Sequence, residues 1–217
     1  LWSPLKYASV YQKQLIGIFT GVNKNYNATT DAEVSYTISG IIPGDIVDIS
    51  NIYAAYFISI GPGKNIRIDI SNITLYGDQY FNYYIDSLNV AYANIINAYL
   101  NVYFYGLGKV YDRNSYAPIR WTISGLIPSE VGKVDISSVY ISLYRDVNAS
   151  NYITIDISNI KIYGQNAYNY YIIPNSTISG IISQRYIYST GVDKIYDQNT
   201  IAQLTLSNVI LNDNVIY

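Results

Sequence analysis

Tyr36-Thr-Ile-Ser-Gly-Ile-Ile-Pro43 returns further along the chain as Trp121-Thr-Ile-Ser-Gly-Leu-Ile-Pro128. Each block runs on into Val-Asp-Ile-Ser (47–50 and 134–137) and then Ile-Asp-Ile-Ser-Asn-Ile (68–73 and 155–160). Tyr-Gly (76–77 and 163–164) and Asn-Tyr-Tyr-Ile (82–85 and 169–172) complete the match. The offset starts at 121 − 36 = 85 and becomes 155 − 68 = 87, so the second copy carries two extra residues. Agreement of this length points to internal duplication of a unit of about 85 residues, close to the size of an immunoglobulin-like sandwich.

A shorter signal appears three times. Gly21-Val-Asn-Lys24-Asn-Tyr26 recurs as Gly106-Leu-Gly-Lys109-Val-Tyr111 and as Gly191-Val-Asp-Lys194-Ile-Tyr196. The glycine suits the left-handed position of a hairpin turn, with lysine and tyrosine opening the next strand. The chain thus holds about two and a half copies, the last running out near Tyr217.

Within a copy the pattern is that of strands. Val34, Tyr36 and Ile38 alternate with polar residues, and Ile52–Ile60 is a strongly apolar strand. Ile66, Ile68 and Ile70 alternate with Arg67 and Asp69, as a half-buried antiparallel strand does. Ile73 and Leu75 fall out of phase, which predicts a bulge or tight turn at Ser71-Asn72. Ala91–Ala98 admits a helical turn, but Tyr, Val and Ile dominate the region and favour strand. Leu100, Val102 and Phe104 alternate up to Gly106. No capped segment of 3.6-residue period is present, so the fold class is all-β. The expected architecture is tandem immunoglobulin-like or pilin-like β-sandwich units, with residues 1–20 as a tail, 21–105 as the first unit and 106–217 as the second.

Composition narrows the chemistry. The 217 residues include no Cys, His or Met, which removes disulfides, thiolate and imidazole catalysis and the usual zinc sites. Net charge is −2 with no basic run, so nucleic acid is not an expected partner. No apolar run approaches the roughly 20 residues that span a bilayer. The opening Leu-Trp-Ser-Pro, with no initiator Met, reads as a mature N-terminus left by signal-peptide removal, hence an extracellular chain. Only 13% of residues are charged and 27 are Tyr. A surface of Tyr, Asn, Ser and Thr barely titrates, which suits an acidic and hot medium. The Asn content argues against heat resistance in neutral solution.

Four sequons, at Asn27, Asn72, Asn148 and Asn175, lie at or near expected turns, where N-linked glycans would project into solvent. Asp48, Asp69, Asp135 and Asp156 recur with the repeat. They read as turn or exposed-face carboxylates rather than as a glycosidase pair, with a calcium site at an Asp/Asn-rich turn as the alternative. Lys24, Lys109 and Lys194 invite an isopeptide reading, but an exposed lysine after a turn is the simpler one. No catalytic residue, cofactor or metal site is expected.

The N-terminal tail has strand character. Leu5, Tyr7, Ser9 and Tyr11 share one face, with Ala8 and Val10 on the other. Beside an incomplete repeat, a free strand suggests donation to a neighbouring molecule, a head-to-tail contact that does not close. In its Tyr/Asn/Ile-rich, Cys-free, sequon-bearing β chain and extended tail, the protein resembles the subunits of archaeal thread filaments. Those are glycosylated surface fibres of thermoacidophiles, joined by donor strands much as bacterial chaperone–usher pilins are. The resemblance implies a homopolymer of identical subunits, a donor strand within residues 1–20 plugging through Leu5, Tyr7, Ser9 and Tyr11 or their alternates, and a role in adhesion or biofilm. An unpolymerised surface-layer or adhesin protein and a secreted carbohydrate-binding protein or glycosidase are the alternatives.

Overall fold

The computed structural model describes residues 8–50, 53–86, 88–137, 140–173 and 177–214. The chain is almost entirely β and divides into two units, residues 1–98 with 168–171, and residues 99–167 with 172–217. Among the described residues, no helix is long and apolar enough to cross a membrane.

In the first unit the strands are β1 (Lys13–Gln14), β2 (Ile16–Gly21), β3 (Lys24–Asn25), β4 (Val34–Ser39) and β5 (Asp48–Ile49). They continue as β6 (Ala54–Phe57), β7 (Gly63–Ser71), β8 (Leu75–Tyr76), β9 (Tyr83–Tyr84) and β10 (Asn89–Ile96). One sheet has the order β3-β10-β7-β6, while β2 pairs with β4, β5 with β8, and β1 with β9. The alternation in β7 works as expected: Ile68 and Ile70 are buried, and Arg67 and Asp69 face outward as an ion pair at 2.6 Å. The strand stops at Ser71 because Asn72 takes φ 58°, the tight turn expected there. Asn159 does the same with φ 56° at the matching place in the second copy. Residues 89–96 are strand, with Ala91, Ala93 and Ile95 buried.

The later strands repeat the plan. They are β11 (Ala98–Gly106), β12 (Lys109–Val110), β13 (Ile119–Ser124), β14 (Asp135–Ile136), β15 (Ile141–Tyr144) and β16 (Ser150–Ser158). Then come β17 (Ile162–Tyr163), β18 (Tyr170–Ile172), β19 (Thr177–Ser183), β20 (Tyr188–Val192) and β21 (Gln203–Ser207). The order β12-β19-β16-β15 matches β3-β10-β7-β6 strand for strand. The core of the second unit joins Val102, Phe104 and Ile119 of the hairpin to Ile153, Ile155, Ile157 and Ile182 of the four-stranded sheet. That is face-to-face sandwich packing of alternating side chains. The extra residues fall beside the 3₁₀ turn Pro128–Glu130, where Gly132 adopts φ 81°.

The hairpin is built three times in one register. Gly21 faces Val34, Gly106 faces Ile119 and Gly191 faces Leu204. None of these glycines has positive φ, so the turn role expected for them is replaced by another. A Cβ on Gly21 would sit 2.8 Å from the Tyr92 carbonyl oxygen, and one on Gly106 2.3 Å from that of Ser179. Glycine is required there because β10 and β19 cross directly over the hairpin.

The tail expected over residues 1–20 is shorter than that. Lys13–Gln14 pair in parallel with Tyr83–Tyr84, and Ile16–Gly21 pair with β4 of the same chain. Leu15 between them is buried against Val47 and Tyr83. Among the described residues, the stretch ahead of β1 that belongs to no strand is 8–12.

Candidate assembly surface and modification sites

The segment ahead of β1 sets one side of the candidate surface. Ser9, Val10 and Tyr11 are exposed and belong to no strand, and Gln12 donates its side-chain amide to the Phe81 carbonyl. Leu5 and Tyr7, the other two residues expected on the donor face, lie outside the described residues.

The three lysine loops set the other. In each, the side-chain oxygen of residue 27, 112 or 197 accepts the backbone N–H two residues on, at 3.1, 3.1 and 3.2 Å. This Asx turn shapes the loop so that lysine can reach back into it. Lys24 donates to the Thr29 carbonyl at 2.7 Å, Lys109 to that of Asn114, and Lys194 to that of Asn199 at 2.9 Å. Asp112 and Asp197 also pair with their lysines, at 2.7 and 2.8 Å. Burial pushes Asp112 up, but the Lys109 ammonium and the Asn114 amide outweigh it and hold the carboxyl below its usual range. The Lys194 ammonium and the Asn199 amide do the same for Asp197.

The surroundings of the loops differ. Lys24 lies over the Phe57 ring and Lys109 over the Tyr144 ring, at 5.3 and 5.6 Å from the centroids, a cation–π arrangement. Both are half-buried rather than exposed, and burial lowers the Lys24 pKa despite nearby Asp31. β3 and β12 then pair in parallel with β10 and β19: Lys24 opposite Ile95, Lys109 opposite Ile182. Lys194 and Ile195 belong to no strand. Tyr196 is 85% exposed, whereas Tyr26 at the same repeat position is 6% exposed. A cleft of about 300 Å³ opens beside this loop, lined by Val192, Lys194, Asp197, Asn199, Ile201 and Gln203.

The sequons sit on turns. Asn27 is exposed and is the Asx residue of the first lysine loop, so its Oδ1 is engaged by Thr29. Asn72 is exposed at the left-handed turn closing β7. Asn148 is exposed in the turn between β15 and β16, its side-chain amide donating to Asp146. Asn175 lies outside the described residues.

The repeated carboxylates serve local structure. Asp48 and Asp135 accept the N–H of Ile49 and Ile136, both at 2.7 Å, and Asp135 also takes the Trp121 indole N–H. Asp156 is gripped at both oxygens by Arg145 at 2.8 Å, which holds it below its usual range. Among the described residues, no cluster of three or more His, Cys, Asp or Glu is placed to hold a metal. The three lysines each meet carbonyls or a carboxylate of their own loop, an arrangement sequence reasoning did not anticipate. Its only trace in the sequence was the constant spacing from lysine to residues 27, 112 and 197.

Compared with protein-family models, with curated proteins and with solved structures, the chain matches none.

Proposed function

We propose that this chain is a non-enzymatic structural subunit of an extracellular filament, polymerised head to tail by strand donation and carrying N-linked glycans, with adhesion or biofilm formation as its use. The observation that carries the reading is the segment ahead of β1. It holds Val10 at 98% exposure, above every other large apolar side chain among the described residues. An apolar residue so exposed, on a segment that among the described residues has no strand partner, is suited to pairing with another molecule. The β-rich build supports it, since a supplied strand completes a hydrogen-bond ladder and protects an edge. Electron microscopy of the purified full chain tests the reading: fibres are expected, and they disappear when residues 1–12 are deleted while the chain stays folded by circular dichroism. Fibres that persist without those residues would remove strand donation from the mechanism; monodisperse monomers from the intact chain would favour the unpolymerised surface protein.

A further inference from the structure

Tyr7-Ala-Ser-Val-Tyr-Gln12 parallels Tyr92-Ala-Asn-Ile-Ile-Asn97 at the same offset of 85 that relates Gly21 to Gly106. The segment before the first hairpin therefore carries the sequence pattern of β10. Val10 stands at the position of Ile95, and β19 holds Ile182 there. Ile95 and Ile182 are 2% and 1% exposed, the reverse of Val10. Residues 8–12 thus carry the pattern of the strands that cross the first two lysine hairpins, and among the described residues they cover no hairpin.

The third hairpin is the complementary case. It keeps the glycine that the first two need for a strand to cross, yet a Cβ on Gly191 would meet nothing within 4 Å. It keeps the lysine loop, hydrogen-bonded as in the other copies, but among the described residues Lys194–Ile195 pairs with no strand, and the cleft next to the loop stands open. The glycine, the loop and the cleft each match a β10-type strand.

We infer that the β20–β21 hairpin of one molecule receives residues 8–12 of a second copy, in parallel, with Val10 opposite Lys194 and Tyr11 opposite Ile195. The register transfers the pairs Ile95 to Lys24 and Ile182 to Lys109. Ala8 and Val10 then face inward, as Ala93 and Ile95 do, and Ser9 and Tyr11 face outward. In this register residue 7 of the incoming chain is the counterpart of Tyr92 and Ser179, whose carbonyls pass over Gly21 and Gly106, so its backbone would pass over Gly191. Residues 8–12 lead into the first hairpin as β10 leads into the second, so the contact joins two different surfaces of the two copies. It is heterologous and propagates. This inference rests on the filament reading and names its acceptor.

The chain has no cysteine, so introduced thiols report cleanly. Adjacent strands lie about 4.8 Å apart, inside the Cα separation a disulfide accepts. Tyr11→Cys and Ile195→Cys chains are mixed under mild oxidation and followed by non-reducing electrophoresis and microscopy. A linked pair of twice 24.5 kDa is expected in the mixture, well above the yield of either chain alone or of Tyr11→Cys with Tyr152→Cys, an exposed control. Gly191→Ala is expected to keep or slightly raise the melting temperature and to weaken cross-linking and fibre formation about tenfold or more, because its methyl blocks the incoming backbone. Fibres without the 11–195 link, or with Gly191→Ala assembling normally, would overturn this acceptor and leave the filament reading standing. Neither fibres nor link would overturn both.

Discussion

Gly106→Ala isolates the close crossing on which each sandwich depends. The new methyl would sit 2.3 Å from the Ser179 carbonyl oxygen and 2.9 Å from the Ile155 side chain. The oxygen belongs to the backbone of a central strand, so the hairpin and sheet must part. Overpacking of this kind costs about 1–3 kcal/mol, and a backbone obstacle places the cost at the upper end. Alanine recovers about 0.4–1 kcal/mol by restricting the unfolded chain. The net loss is about 2 kcal/mol, or roughly 4–8 °C in melting temperature for a protein of this size. Gly21→Ala acts in the same direction, its methyl meeting Ile68, the Tyr92 carbonyl and Ala93 within 2.9 Å. Scanning calorimetry of both variants beside Gly191→Ala measures the effect. If Gly106→Ala melts at or above the parent temperature, close strand crossing is not why glycine occupies this position.

Ile155→Ala empties a fully buried position in the second unit's core and is expected to cost about 3 kcal/mol by urea unfolding; a loss under about 1 kcal/mol would mean that the site is not packed as described. Asp112, Asp156 and Asp197 are held below the ordinary aspartate value of 3.8. Their stabilisation is therefore complete above that value and is lost only as pH falls through the lower folded values. Melting temperature should hold from neutral pH down to about pH 4 and decline gradually beneath it, and a collapse already near pH 6 would contradict this. Mass spectrometry of protein from its natural source should find glycan on Asn27, Asn72 or Asn148, removed site by site by Asn→Gln; an unmodified mass would exclude N-linked glycans as partners.

Much of the β architecture was legible in the residues. The alternation Ile66–Arg67–Ile68–Asp69–Ile70 specifies a half-buried strand because strand side chains point to opposite faces in turn. The turn at Asn72 followed from the loss of phase after Ile70, since a residue able to adopt positive φ stands there. The recurrence of a long block made two similar units the economical expectation. Other features were illegible. Gly21 and Gly106 look like turn residues in sequence, because glycine serves both positive φ and close approach; only the position of Tyr92 and Ser179 over them decides between the two. The end of the free segment was misplaced because residues 1–20 read as strand throughout. Pairing partners separate Lys13–Gly21 from what precedes, and those partners are 13 to 70 residues away.

The sequence by itself determined the repeat, the all-β class, the absence of thiol and imidazole chemistry and the positions where glycans can attach. These depend on residue identity and local period alone. Tertiary structure decided which strand crosses which hairpin, why three equivalent glycines differ in their surroundings, and that Val10 stands in solvent while Ile95 and Ile182 are enclosed. The physical reason is that burial belongs to pairs of elements brought together by the fold: the same strand pattern is core when a hairpin lies beneath it and an exposed edge when none does.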